Sequence, residues 1–434
     1  MKNLSVFLLI GLLSACSSDQ QSNNSATTAD QEKKKDTIQF YGDTIPFLNP
    51  SELHRLEIQS EAADITAFYD LLNSNPRSFT QVNTKLDKED YLLVGIRHKG
   101  ESSFKYHPGP KKPFKLKLSA FISCQEHKKT KEFNFNNCMK DPSFMREQLF
   151  LDILRELNVP AQQSAFVKIN DDYQGLYLAT EGVEQALVKR SFGTKKGTFI
   201  KGEPEAFLTT LNADSLYSKS YIFKKKRNYG ITSLKELASA IKNDLENGTK
   251  TTSDHIHMKS LMKAFAANNI LVNVDAYNMK YPHNYYLFRP SKGDLFYWIG
   301  YDFNYAFGAW TPDLSYEEMV RLPPNHFIKE HPLSELVCSK NSPYYDEYMT
   351  VYKEVVDFIF NTDFVEQKIQ FYNELIAGAV REDEYKMYTT EEYYQNRNLH
   401  YGDLKDPGVF IPGLTPFLKD RGEYLNTVLN EKGN

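Results

Sequence analysis

Three stretches near the start of the chain read as strands. Residues 53–59, 91–99 and 114–118 are short, rich in Leu, Val, Ile and Phe, and bounded by turn residues. In the last of them Phe114, Leu116 and Leu118 alternate with Lys115 and Lys117. Gly, Ser, Pro and Lys fill residues 100–111, a turn-rich connection. Helical spacing follows at 142–158, where Phe150, Ile153, Leu154 and Leu157 form an apolar stripe. Asp141 stands where an N-cap belongs and Pro142 at the first helical position. Residues 163–169 and 173–179 predict a hairpin around Asn170-Asp171-Asp172. Further on, Lys259–Val274, residues 344–378 and Thr415–Leu429 carry helical periodicity, with a Gly- and Pro-punctuated loop over 402–414. The pattern predicts an α+β protein. Its strand-rich first lobe spans 39–185 and its helix-rich second lobe 186–434.

Composition narrows this picture. The chain has 434 residues, 41% hydrophobic and 25% charged, enough to bury large cores and unlike a collagen or heptad fibre. Its formal net charge of -4 supplies no basic footprint for nucleic acid. No apolar run reaches the roughly 18 residues of a spanning helix. Lys2 and the short apolar run from Val6 to Leu13 have the logic of an export signal. The run ends in Leu13-Ser14-Ala15-Cys16, which resembles the lipobox of bacterial lipoproteins. That resemblance makes 1–16 a signal peptide with lipobox, Cys16 the lipidated mature N-terminus, and the address the bacterial cell envelope, periplasmic or surface-exposed, with a membrane as partner through the acyl anchor. Residues 17–38 are polar and read as a flexible tether. Cys124, Cys138 and Cys338 remain. An odd number allows at most one internal bridge; Cys124 and Cys138 are near enough in sequence to close one, and three unpaired thiols is the alternative.

Candidate chemistry concentrates in 275–308. His283–Phe288 and Leu295–Tyr301 read as two strands joined by a turn at 289–294. Paired about that turn, they set Asn284 nearly opposite Ile299. Asp302 follows at the same open end, within roughly 10 Å at about 3.3 Å per residue. Asp275 arrives there from the preceding helix. Two acids and an amide at one mouth are hard oxygen donors of the kind Mg²⁺ takes alongside phosphate oxygens, and a free Asp orients a hydroxyl. Asp and Asn are also common caps and turn formers, the plainer account of the same residues. His283 reads as a structural histidine. In the first lobe, Arg97, Gly100, Ser102 and Ser103 end a strand with groups able to present N–H donors to an anion. Lys111, Lys112, Lys115 and Lys117 follow; alternation places Lys115 and Lys117 on one face and Lys112 on the other. Lys224-Lys225-Lys226-Arg227 reads mainly as solvated surface. Walker, Gly-x-Ser-x-Gly and zinc spacings are absent from the sequence.

Five clusters in order resemble the CotH family of atypical, protein-kinase-like enzymes. They are Val94–Ser103, Lys111–Leu118, Asp141–Glu147, Val167–Asn170 with Tyr173–Glu181, and Asp275 with His283–Leu287, Asp302–Asn304 and Phe307-Gly308. The resemblance implies a reduced, two-lobed protein-kinase-like fold that uses ATP and Mg²⁺ to phosphorylate Ser or Thr of a protein substrate. By it Asp275 matches the catalytic-loop Asp, which accepts or orients the substrate hydroxyl. Asn284, Asp302 and Asn304 hold metal, Asn304 being a neutral residue where the family usually has a second Asp. Arg97, Gly100, Ser102 and Ser103 lie over the phosphates, Lys112 or Lys115 pairs with them, Glu147 is a candidate brace for that lysine, and Glu181 lies near the junction between lobes. The alternative is a catalytically inactive kinase-like binding module on the cell envelope.

Overall fold

A computed structural model of the chain describes residues 43–59, 70, 72–73, 78–100, 102–170, 175–211, 214–225, 227–404, 406 and 408–431. The expected signal peptide, Cys16 and the tether lie outside the described residues, as do Asp171, Asp172, Tyr173, Gln174 and Lys226. The described part belongs to one compact unit, Gln39–Asn434.

Its first part is a closed seven-stranded barrel. The strands are β1 (His54–Gln59), β2 (Thr80–Leu86), β3 (Glu89–His98), β4 (Phe114–Lys117), β5 (Glu132–Asn136), β6 (Ser164–Ile169) and β7 (Gly175–Glu181). Their order is β1-β2-β3-β4-β5-β7-β6, and β1 closes the ring by pairing parallel to β6. Period-two alternation explains the closure. Leu56, Val94, Ile96, Phe114, Leu116, Phe133 and Phe135 all point inward and are fully buried. Phe114 and Phe135 face each other in register and stack at 4.7 Å. The outward residues of β4, Lys115 and Lys117, both reach Glu132 on β5, as their shared face requires.

Two helices interrupt the barrel strands, α1 (Ser102–Tyr106) and α2 (Arg146–Glu156). The second starts four residues later than its sequence pattern suggests. Phe144 takes a left-handed φ of 62°, which breaks any helix begun at Pro142. Asp141 instead caps a turn, accepting from the Ser143 and Arg146 amides at 3.0 and 2.9 Å.

The remainder is helical around a second sheet. In chain order come α3 (Gln185–Phe192), β8 (Gly197–Gly202), α4 (Asp214–Ser220), β9 (Tyr221–Lys225), α5 (Arg227–Asn247), α6 (Met258–Ile270), β10 (Tyr285–Pro290) and β11 (Tyr297–Gly300). Then follow α7 (Tyr316–Val320), α8 (Pro332–Cys338), α9 (Tyr345–Phe360), α10 (Phe364–Glu382), α11 (Thr390–Asn396) and α12 (Leu414–Glu431). The sheet order is β11-β10-β8-β9, four strands where the sequence pattern marked a hairpin. Helix α6 is buried on nearly every side, all but Lys259 and Lys263, and the buried set includes Ser260, Asn268 and Asn269. It stops at Ile270 because Val272 is left-handed, with φ 46°. The long pattern over 344–378 divides into α9 and α10 at Asn361–Asp363. Among the described residues no helix is long and apolar enough to cross a membrane. Cys124, Cys138 and Cys338 are free thiols, so no bridge joins Cys124 to Cys138.

Candidate functional site

The β10–β11 hairpin meets in a register two residues away from the expected one. Tyr286, not Asn284, stands opposite Ile299, and Tyr285 opposite Gly300. The turn therefore lies later, at 291–296. A shift of two keeps every side chain on its face. It also brings Asn284 closer to Asp302: the Tyr301 amide donates to the Asn284 carbonyl at 3.1 Å, so Asn284 lies beside the residue that precedes Asp302. Asn284 and Asp302 both adopt left-handed backbone, φ 59° and 66°, a conformation Asn and Asp tolerate better than other non-glycine residues.

Asp275 is the centre of this mouth. His283 Nε2 contacts its Oδ1 at 2.8 Å. The Asn284 side-chain amide donates at 2.9 Å to both its Oδ2 and its main-chain carbonyl. The Asp275 side chain keeps 16% of its surface exposed, so the carboxylate still reaches solvent. Burial raises its pKa most; the charge of Asp302 raises it further, against the pull of His283 and Asn284. The result is a carboxylate more basic than an ordinary Asp, held in one orientation. That is what orienting a hydroxyl or accepting its proton requires.

A second acid meets Asp302 from α2. The fully enclosed Glu147 carboxyl is pushed up to about 7, by burial first and then by Asp302; Lys99 and hydrogen bonds from Asn136 and the Phe303 amide oppose this. Asn136 links the two ends. It donates to Glu147 at 2.7 Å and accepts from Lys99 Nζ at 2.8 Å. Three residues after Glu147, Phe150 stacks on Phe303, the neighbour of Asp302, at 4.3 Å and fixes α2 against that segment.

Gly100 follows Lys99 with φ 73°, and a side chain there would collide with Ser103. The turn it makes delivers Ser102, whose hydroxyl reaches the Tyr305 phenol next to Asn304. Arg97 pairs across the ladder with Lys115, which binds Glu132 at 2.8 Å. The Tyr286 phenol faces Glu132 of the barrel together with Glu184 and Glu203. The Tyr301 phenol faces Glu203, Asp275 and Asp302. Where the barrel meets the second sheet, charges of both signs thus stand near one another.

The structure brings Asp275, Asn284, Asp302 and Asn304 to one mouth, with Ser102 and Glu147 beside them. It sets Lys112 apart: its Nζ donates to the His107 carbonyl at 2.8 Å and lies over the Phe104 ring. Lys115 is engaged by Glu132, and the lysine linked to Glu147 is Lys99, through Asn136. Sequence reasoning passed over both Lys99 and Asn136; the strand end before Gly100 was the only signal for the first, and β5, which carries the second, lacks a distinctive pattern. Glu181 is wholly buried at the end of β7, where Arg190 and the Gln163 amide hold it. His283, expected to be structural, touches Asp275. Lys224 and Lys225 end the edge strand β9, and Arg227 opens α5.

Among the described residues no group of three or more His, Cys, Asp and Glu stands together to hold one. Asp302 with the amide oxygens of Asn284 and Asn304 is a different kind of set, one carboxylate plus neutral oxygens. It suits Mg²⁺, which takes one or two carboxylates and completes its shell with water and phosphate oxygens. Asn284 spends its amide protons on Asp275, so its side-chain oxygen is the atom left to serve as a ligand.

A profile of the family described as CotH kinase protein matches residues 96–407. This is a kinase-like α+β protein with a strand-rich N-terminal region and a helical C-terminal region. It belongs to the CotH kinase family. Inner spore coat protein H of Bacillus subtilis (strain 168) is 23% identical over 323 residues, 72% of this chain and 82% of that protein. Among solved structures, the Helicobacter pylori proinflammatory kinase CtkA aligns at 11% identity and a TM-score of 0.28, over 70% of this chain and 92% of that one. The Golgi casein kinase with Mn/ADP bound aligns at 10% identity and a TM-score of 0.31, over 89% and 74%.

Proposed function

We propose that this chain is an envelope-anchored atypical protein kinase that uses Mg-ATP to phosphorylate Ser or Thr of secreted or surface proteins. The observation that carries the reading is Asp275. It is a half-buried carboxylate with a raised pKa, gripped at both oxygens and set beside a second acid on a left-handed turn. Asp302, Asn284 and Asn304 would hold Mg²⁺, which supplies charge neutralisation at the phosphates. Arg97, Lys99, Lys115 and Ser102 would supply the groups that meet the nucleotide's phosphates. Asp275 orients the acceptor hydroxyl and takes up its proton at a carboxylate oxygen. Positioning and electrostatics carry most of phosphoryl transfer.

The test is phosphate incorporation from radiolabelled Mg-ATP into protein acceptors. Asp275→Asn is expected to lower kcat at least 100-fold while nucleotide affinity stays within a few fold. Equal turnover in wild type and variant would overturn the assignment. Anchoring has its own test. Cys16→Ser is expected to move the protein from the membrane fraction to the soluble one, and an unchanged distribution would refute the lipid anchor.

A further inference from the structure

An apolar cavity of about 200 Å³, walled in part by Val274, the residue before Asp275, is not used by any step above. Val274, Met279, Leu314, Leu322 and Ile328 wall it, and the exposed Lys280–Asp313 ion pair stands at its rim. Its two sides are the continuations of the two acidic segments. Val274 precedes Asp275, and the turn from Ala276 to Lys280 follows it, closed by the Met279 amide on the Ala276 carbonyl at 2.9 Å. The opposite wall, residues 311–314, comes after Asp302, Asn304 and Gly308. Aromatic rings connect cavity and site: Tyr281 lies edge-on to His283 at 5.7 Å and stacks on Trp310 at 5.8 Å. His283 in turn touches Asp275.

We propose that this cavity is a specificity pocket for one large apolar side chain of the protein substrate, within about three residues of the phosphorylated Ser or Thr. The inference rests on the kinase reading above. Size sets the occupant: an apolar cavity of about 150 Å³ holds a benzene, so this one admits a single Leu, Ile, Met or Phe side chain and no more. Chemistry excludes a charged one, which would lose its hydration against aliphatic walls. Continuity sets the distance. An extended peptide advances about 3.3 Å per residue, and the cavity wall begins one residue from Asp275.

The experiment is a peptide array in which a central Ser or Thr is flanked by one varied position at a time. Binding of the full protein is read without nucleotide, and phosphate incorporation is read separately with Mg-ATP. Wild type is expected to bind peptides with Leu, Ile, Met or Phe at one flanking position about tenfold or more tightly than those with Asp or Lys there. Leu314→Gln and Ile328→Gln, at half-buried positions, are expected to erase that preference while melting near wild type. Leu314→Trp, which fills the space, is expected to do the same. A wild type without apolar preference, no peptide binding at all, or a preference that survives all three variants overturns the pocket. Apolar-selective binding without phosphate transfer upholds the pocket and overturns the kinase reading instead.

Discussion

Asp275 and His54 show how single residues in this chain are set by their neighbours. At Asp275 burial and Asp302 raise the pKa, and the hydrogen bonds of His283 and Asn284 keep the group ionisable and aimed. At His54 the outcome is opposite in kind. Burial disfavours its charge, but Asp87 at 2.9 Å and the Asn49 carbonyl at 2.9 Å outweigh it and hold its pKa above 6.5. Asp87 is held below 3.8, with burial opposing and His54 prevailing. A raised histidine stabilises the fold below its unfolded pKa and loses that contribution as pH rises through the folded one. A lowered aspartate contributes above 3.8 and loses it in acid. The pair is therefore at full strength between about pH 4 and 6.5. His54→Gln is expected to cost more at pH 5.5 than at pH 8.5, by on the order of 0.5–1 kcal/mol once solvent around Asp87 is allowed for. Denaturant titration at both pH values checks this, and an equal cost at both would refute it.

Among elements, α2 does most to assemble the site. Phe150 docks it on Phe303, and Glu147 reaches the Phe303 amide and, through Asn136, Lys99. Lys99→Met is expected to lower nucleotide affinity about tenfold or more, with a melting temperature within a few degrees of wild type, because only the link to Asn136 is lost. Isothermal titration with Mg-ATP reads it; unchanged affinity would remove Lys99 from the site. The strands β1, β3 and β4 and the inward stripe of α2 were legible in the sequence because their periods are clean. β5, β8 and β9 were not. They are short or mixed, and register with partners distant in the chain makes them strands. The start of α2 was misplaced for a local reason, since Asp141 caps a turn that looks like a helix start until Phe144 turns left-handed. Asp275, Asn284 and Asp302 were legible as a constellation of hard oxygen donors on a hairpin. The hairpin's register was not, because the turn residues 289–294 give no unique pairing.

At the scale of the whole molecule, one buried ion pair and one buried, hydrogen-bonded arginine join the N-terminal region to the helices. Lys111 Nζ meets Asp383 at 2.6 Å with both side chains almost fully buried, and the Leu176 amide donates to the same carboxylate at 3.0 Å. This fastens β7 and the start of β4 to the end of α10. Arg146 does the same for α2. Wholly buried, it donates to Asn396 at 3.0 Å and to the Pro412 carbonyl at 2.5 Å. Removing Asp383 would leave Lys111 an uncompensated buried charge, so this junction tolerates loss of either partner poorly.

On the proposed function, the mouth formed by Asp275, Asn284, Asp302 and Asn304 binds a nucleotide through a divalent ion. Thermal melting of the protein with and without Mg-ATP tests it most directly, in wild type and in Asp302→Asn, a substitution that keeps the left-handed backbone comfortable. A ligand at 100 times its Kd adds about 2.7 kcal/mol to the folded state. The account predicts an upward shift of a few degrees in wild type that requires both Mg²⁺ and ATP and is lost in the variant. No shift at millimolar Mg-ATP, or the same shift in Asp302→Asn, would contradict it.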